Sequence, residues 1–229
     1  MKIFKRIVRK LCLSSKRSFA LNGLDLKMRK IIKKRNGLFV EVGANDGVSQ
    51  SNTLYFEKYY GWSGLLIEAV PELAAKCSQN RPNCIVENCA LVADDFLDDH
   101  IEIHSCGLMS IIKNDFINEK DHIQTGRKFL KDNESDSIVI TDAKTLSDVL
   151  EKHGILGFDL FSLDVEGYEV EVLRGLDLSK YGPKYMLIEV RDRSAINEQI
   201  GQFYEIKAIL NKSQSYEDIL YIRRKANLA

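Results

Sequence analysis

From about residue 38 onward the chain alternates short apolar runs with polar stretches of helical spacing. Leu38–Val42 (LFVEV) reads as a strand, residues 52–60 as a helix, and 64–69 (GLLIEA) as a second strand. Pro71 then opens a helix through Ser78, since a proline in the first turn loses no hydrogen bond. Residues 84–92 (CIVENCALV) predict a third strand running into a loop. The alternation stops over the polar stretch 93–137, which carries Asp94, Asp95, Asp98 and Asp99 and one strand-like run, IEIHSC at 101–106. It resumes with a strand at 138–141, a helix over 145–153, the strand FDLFSLDV at 158–165 and a helix over 168–176. The strand YMLIEV at 185–190 and a helical piece after Ser194 follow. Two late runs, FYEIKAIL at 203–210 and DILYIRR at 218–224, are joined by polar residues and no helix. Repeated β-α units of this length predict a mostly parallel, doubly wound α/β sheet with helices on both faces. The last two strands should form an antiparallel pair at one edge.

Length and composition narrow this further. The 229 residues, 45% hydrophobic and 29% charged, suit one soluble domain. No apolar run approaches the ~18 residues that span a bilayer. The five cysteines are odd in number and form no CxxC pair, and no secretory signal accompanies them, which points to free thiols in a reducing cytoplasm. The four scattered histidines offer no zinc pattern. The net charge of zero conceals an asymmetry: residues 1–35 hold thirteen Lys or Arg against one acid, Asp25. The chain therefore divides into a basic leader, 1–35, and a domain, 36–229, with 93–137 as a polar insert placed to cover an acceptor site. In MKIFKRIVRKLC the residues Ile3, Phe4, Ile7, Val8 and Leu11 fall on one helical face with basic residues around the rest. Through residues 2–17 such a helix could lie on an anionic membrane surface, grip a polyanion, or pack on its own domain.

In an open α/β sheet, ligands bind beyond the carboxyl ends of the strands. After the first strand comes GANDG, where Gly43 allows close approach and Gly47 permits a turn. The next helix starts near Ser51 and Asn52, so its N-terminal N–H groups face the same crevice. The loop is not G-x-G-x-x-G, because Asn45 holds the second glycine's place, and it lacks GK[ST]. A nicotinamide dehydrogenase is thereby disfavoured. Glu68, at the end of the second strand, follows Gly43 by twenty-five residues, the place of an acid that holds ribose hydroxyls. The third strand adds Asn88 and Ala90, a polar group beside a small one, suited to an adenine edge. FSLDVEGYEVEV brings Asp164 and Glu166 to a fourth strand end, while Glu169 and Glu171 are accounted for by the helix dipole. Glu189 repeats the arrangement in the fifth strand. Glu41, Glu68, Asp164 and Glu189 should thus line one edge of the sheet.

FVEVGANDG, SNTLYFEKYYGWSGLLIEAVPEL, ENCALV, TLSDVLEKHGI, FSLDVEGYEVEVLRGL and IEVR, in this order and spacing, resemble the FkbM-type S-adenosylmethionine-dependent methyltransferases over roughly residues 36–225. The resemblance implies a class I methyltransferase (Rossmann-like) fold, a seven-stranded, mostly parallel sheet with an antiparallel edge strand. It also implies O-methyl transfer, often to sugar hydroxyls of surface glycans or secondary metabolites. Carried over by position, it puts the methionine end of the cofactor at Glu41, Gly43, Asn45 and Gly47, with Asn52 at the helix start. Glu68 and the adjoining Ala69 would meet the ribose, and Asn88 and Ala90 the adenine. Asp164 would touch the cofactor and, with Glu166, line the space between sulfonium and acceptor. Asp164 is the first candidate for general base and Glu189 the second. Asp164, Glu166 and Glu189 are also the oxygen set that would hold Mg²⁺ if the reaction uses one. CGLMSI at 106–111 resembles the family's glycine-small-serine segment over the site, with Met109 where a smaller residue is usual.

Two rivals remain at this level. A class I methyltransferase acting on RNA would keep the cofactor site, but the acidic body disfavours nucleic acid. A non-catalytic module would keep the fold as a binding platform. A lipid-linked glycan acceptor at the inner membrane face would account for the basic leader. The sequence leaves the oligomeric state open.

Overall fold

A computed structural model describes residues 17–105, 111–112 and 137–225. The leader helix expected at residues 1–12 lies outside the described residues, as does CGLMSI up to Ser110. In chain order the first elements are α1 (Leu24–Ile31), β1 (Leu38–Val42), α2 (Leu54–Tyr60), β2 (Ser63–Glu68), α3 (Pro71–Asn80), β3 (Ile85–Asn88) and β4 (Ala90–Leu91). Then come β5 (His100–Ser105), β6 (Ile111–Ile112), β7 (Ser137–Lys144), α4 (Leu146–Lys152), β8 (Leu160–Leu163), α5 (Glu169–Arg174) and α6 (Leu178–Tyr181). The chain closes with β9 (Tyr185–Val190), α7 (Arg193–Ile200), β10 (Tyr204–Lys212) and β11 (Glu217–Arg223).

Seven strands form the main sheet in the order β10-β11-β9-β8-β1-β2-β3. Strands β3, β2, β1, β8 and β9 run parallel, and β11 is antiparallel to both β9 and β10. This is the class I methyltransferase arrangement that the resemblance implies. The predicted hairpin is present, with one refinement: β11, the last strand in sequence, inserts between β9 and β10, so β10 is the edge.

Local chemistry sets the element ends. Pro71 occupies the first turn of α3, and Gly61 closes α2 in a left-handed conformation at φ 70°. Thr145 caps α4 by accepting from the Asp148 N–H, and Asp192 caps α7 by accepting from Ser194 and Ala195 N–H. The predicted third strand is broken in two by Cys89. The β3 half joins the main sheet, and β4 pairs with β7 in a second, four-stranded sheet ordered β4-β7-β5-β6. Part of the polar insert therefore has its own sheet, and Ile101 and Ile103 pack it onto Val70, Leu73 and Ala90.

The boundary drawn at residue 35 from charge alone does not follow the packing. Leu24, Met28 and Ile32 are buried with Phe39, Phe56, Leu66 and Leu160, and Asp25, fully buried, accepts from Ser18 Oγ and from the N–H groups of Phe19, Ala20 and Leu26. Of the basic residues of α1, Lys30 is exposed, while Lys27 donates to the Leu210 carbonyl and Arg29 lies over the Tyr60 ring beside the apolar stripe that joins the core.

Side-chain alternation along the strands gives the sheet two different faces. Val40, Val42, Leu65, Ile67, Leu163 and Ile188 pack with Leu146, Val149, Val172, Leu173 and Ile196 of α4, α5 and α7. Phe39, Leu66, Leu160, Leu187 and Leu220 pack on the opposite side against α1, α2 and Cys77 of α3. Two residues further toward the carboxyl edge, that second face becomes polar: Glu41, Glu68, Ser162, Glu189 and, on antiparallel β11, Asp218 are all buried. The first face stays apolar along β1, β2, β8 and β9 and turns polar only on β3, where the buried Glu87 accepts from Lys144 and Lys152.

Candidate active site

The carboxyl edge opens into a cleft lined by Glu41, Gly43, Asn45, Asn52, Glu68, Ala69, Ala90, Asp164 and Glu166, together with Gln50, Ser162, Ile103 and Tyr168. Most of the residues singled out from the sequence are thus brought together. Gly47, Asn88 and Glu189 are not among those lining the cleft.

The floor between β1 and β8 is unusually tight. Gly43 has φ 78°, and a Cβ there would sit 1.9 Å from the Asp164 carbonyl oxygen, so only glycine lets the first loop cross the end of β8. Gly47 is constrained for a different reason. Its added Cβ would meet Arg81 Cγ at 2.8 Å and Cys77 Sγ at 2.9 Å, and its carbonyl accepts from Arg81 Nη1 at 2.8 Å. It packs behind the loop, away from the cleft. Asn88 also acts from behind: Nδ2 donates to the carbonyls of Glu68 at 2.8 Å and Ala69 at 3.1 Å, holding the turn after β2.

Glu41 is a hub for the segment between β1 and α2. Its carboxylate accepts from Ser51 Oγ at 3.0 and 3.2 Å, from the Asn52 N–H at 2.7 Å, and from Thr53 Oγ1. Arg81, with no exposed surface, stands 3.9 Å from it. That guanidinium also pairs with Glu57 and donates to Ser51 Oγ and Thr53 Oγ1, both at 3.2 Å. The carboxylate predicted to meet the cofactor is engaged in holding the loop around it. Arg81 itself follows the helix predicted from Pro71 and offers no motif that would have singled it out.

Glu68 closes the other end of the cleft. One oxygen accepts from the Asn45 N–H at 2.7 Å and the other from the Val70 N–H at 2.9 Å. Burial raises its pKa against the pull of these N–H groups. Each oxygen keeps lone pairs for a further donor.

Around β8 and β9 the electrostatics change. The register Ser162↔Leu187, Leu163↔Ile188 places Asp164 beside Glu189 one step further on. Burial, then the neighbouring Glu189 and Glu166 charges, hold the Asp164 carboxyl well above the usual range. Glu189 is pushed up to about 8, by burial first and by Glu166 next, with Arg191 opposing. Arg191 Nη2 donates to Glu189 Oε1 and to Glu166 Oε2, each at 2.7 Å. Glu166 adopts φ 55°, a strained value for a residue with a side chain, in the loop that carries Asp164.

The oxygen set predicted as Asp164, Glu166 and Glu189 is therefore rearranged. Glu166 turns toward Arg191, and it is Glu169 that joins Asp164 and Glu189, their donor atoms lying within 4.8 Å of one another. Glu169 is buried and accepts from the Val165 and Gly167 N–H groups at 3.1 and 3.0 Å. The helix-dipole explanation for this residue was incomplete. Its spacing after D-V-E-G, reaching back to the loop N–H groups, was the signal available in the sequence.

The profile described as "Methyltransferase FkbM domain" matches residues 41–218. The chain belongs to the FkbM methyltransferase family. The FkbM match begins at Glu41 and ends at Asp218, so it encloses every acidic residue of the polar edge described above. Among curated proteins none matches the sequence. Solved structures that this FkbM domain resembles include a TehB-like SAM-dependent methyltransferase from Corynebacterium glutamicum, at 11% identity and TM-score 0.46, covering 97% of both chains. A SAM-dependent methyltransferase from Aquifex aeolicus is similar at 10% identity and TM-score 0.46, over 87% of this chain and 88% of that one. Human methyltransferase 10 domain containing protein is similar at 11% identity and TM-score 0.49, over 87% of this chain and 81% of its own.

Proposed function

We propose that this protein transfers the methyl group of S-adenosylmethionine to a hydroxyl of a sugar in a glycan or glycosylated metabolite. The observation that carries the reading is the division of one sheet edge into a cofactor half, Gly43 to Glu68, and a crowded carboxyl half at Asp164 and Glu189. The residues present fit the cofactor. Glu68 has free lone pairs for two ribose hydroxyls, and Ala69, Ala90, Leu91 and Ile103 give an apolar slot for adenine. Gly43, Asn45 and Asn52 border the methionine end, and Glu41 supports them from behind. When bound, the cofactor supplies an electrophilic methyl on a sulfonium.

The chain's own task is to hold an acceptor oxygen in line with that methyl and to take the hydroxyl proton as the new C–O bond forms. Asp164, at the meeting of the two halves, receives the proton. Its raised pKa makes it a stronger base than an ordinary aspartate once ionised. Glu189 and Glu166, tied to Arg191, set that basicity, and Glu166, which lines the cleft, offers an acceptor to a neighbouring sugar hydroxyl. The carboxylates at the mouth favour a polyhydroxylated acceptor over the phosphates of RNA.

A divalent ion fits this set poorly. Arg191 already supplies positive charge to Glu189 and Glu166, and Glu169 is held by two backbone N–H groups. The proposed proton transfer runs through Asp164 without Mg²⁺, and a chelator should leave activity unchanged.

No helix among the described residues is long and apolar enough to cross a membrane. We place the enzyme in the cytoplasm, with residues 2–17 touching the inner face of an anionic membrane; the insert at 93–137 and this leader select the acceptor. Deleting residues 2–17 should shift the protein from the membrane fraction to the soluble one, and an unaltered distribution would count against that contact. The acceptor is tested by mass spectrometry of cellular glycans with the active gene and with the D164N variant. Loss of one methyl increment from a glycan in the variant is the expected result; glycans identical in both would contradict the reading.

A further inference from the structure

Asn52 is over nine-tenths buried, with 8% of its surface exposed, and lines the cleft between β1 and β8. Its backbone N–H donates to Glu41 Oε1 at 2.7 Å and its Nδ2 to Ser162 Oγ at 3.1 Å. Its Oδ1 has no hydrogen-bond partner. A buried acceptor without a donor costs free energy, so such an atom in a ligand cleft calls for a donor from outside the chain.

The surrounding loop cannot relax to satisfy it. Ser51 and Thr53, on either side of Asn52, are both bonded to Glu41 and to the buried Arg81. The terminal torsion of an asparagine amide is soft, so Oδ1 can turn toward a donor in the cleft while the backbone stays fixed.

If the cofactor reading holds, the donors available are the α-ammonium, the ribose hydroxyls and the adenine amine. Glu68 on β2 takes the ribose end. Asn52 lies on the other side of Gly43, between Glu41 and Ser162, where the amino-acid moiety must run. We infer that Asn52 Oδ1 receives the cofactor's α-ammonium, on a backbone whose two flanking hydroxyls are held by Arg81. The assignment rests on the cofactor reading and adds to it the recognition of one end of the ligand.

Three nucleosides separate the two claims by calorimetry: S-adenosylhomocysteine, its decarboxylated analogue, which keeps the ammonium, and methylthioadenosine, which lacks the amino-acid moiety. Asn52→Ala should weaken the first two by about 10–100-fold, the worth of a charged hydrogen bond, and leave methylthioadenosine unchanged. Unchanged methylthioadenosine binding also reports that the variant is folded. Asn52→Asp, which keeps an acceptor at Oδ1, should retain most of the affinity. Equal weakening of all three ligands, no weakening of the decarboxylated analogue, or a loss in Asn52→Asp as large as in Asn52→Ala would overturn the assignment. A wild-type protein that binds none of the three would overturn the cofactor reading itself, and the assignment with it.

Discussion

Glu41 and Asp164 sit at the same edge of the sheet, on or just beyond neighbouring parallel strands, and differ in almost every other respect. Glu41 is surrounded by donors: two hydroxyls, a backbone N–H and a buried guanidinium. Asp164 is surrounded by other carboxylates, and its pKa rises accordingly. A carboxylate whose lone pairs are filled by its own chain organises structure, whereas one pressed against like charge is ready to take a proton. The two halves of the cleft should therefore fail in different ways.

The largest effect is expected on the reactive side. Asp164→Asn should lower kcat by about 10²–10⁴-fold, the usual contribution of a general base, in a methyl-transfer assay with saturating cofactor. A residual rate close to wild type would move the base elsewhere. On the structural side, Glu41→Ala leaves Arg81 buried with less compensating charge, and removing one partner of such a network typically costs about 3–5 kcal/mol. Denaturant unfolding should show that loss, and an unchanged midpoint would mean that Glu57 alone suffices for Arg81.

The next contrast is in pH. Because the base must be ionised, kcat/KM should rise with pH on a limb displaced above the ordinary aspartate range, since burial and the neighbouring carboxylates hold Asp164 well above it. Glu189→Gln removes one like charge and should move that limb to lower pH. Stability runs the opposite way. Glu189 titrates at 4.5 in the unfolded chain and about 8 in the folded one, so the folded state binds the extra proton and loses stability as pH rises between those values. Glu189→Gln should flatten that decline, as followed by thermal unfolding from pH 5 to pH 9. The smallest effect belongs to Asn88, whose loss removes two bonds to the turn after β2. Asn88→Ala should weaken cofactor binding by about tenfold or less, and a larger loss would mean that Asn88 touches the ligand directly.

The β-α order, the parallel sheet and the four acidic strand ends were legible because each rests on local patterning: apolar runs, a first-turn proline, and one polar residue in step with an apolar face. Three features were hidden for physical reasons. Arg81 is buried by tertiary contacts with Glu41 and Glu57, which are distant in sequence, and a charged residue past a helix end ordinarily reads as solvated. Glu169 was assigned to a helix dipole because its bonds to Val165 and Gly167 depend on the left-handed turn at Glu166 and Gly167. Asn88, at the end of β3, and Gly47, in the first loop, do not line the cleft: Asn88 holds the carbonyls of Glu68 and Ala69 and Gly47 packs on Arg81 and Cys77, tertiary contacts that spacing does not contain. The charge pattern likewise hid that Leu24, Met28 and Ile32, within the basic stretch, are buried with the sheet, since burial follows the apolar positions and not the net charge of a segment.

The division of the edge is tested most directly by titrating S-adenosylhomocysteine into Glu68→Ala and Asp164→Asn in parallel. Glu68→Ala should lose affinity by about tenfold or more, the worth of the ribose hydrogen bonds, while Asp164→Asn binds as the wild type does. Equal losses in both variants, or a loss confined to Asp164→Asn, would contradict it.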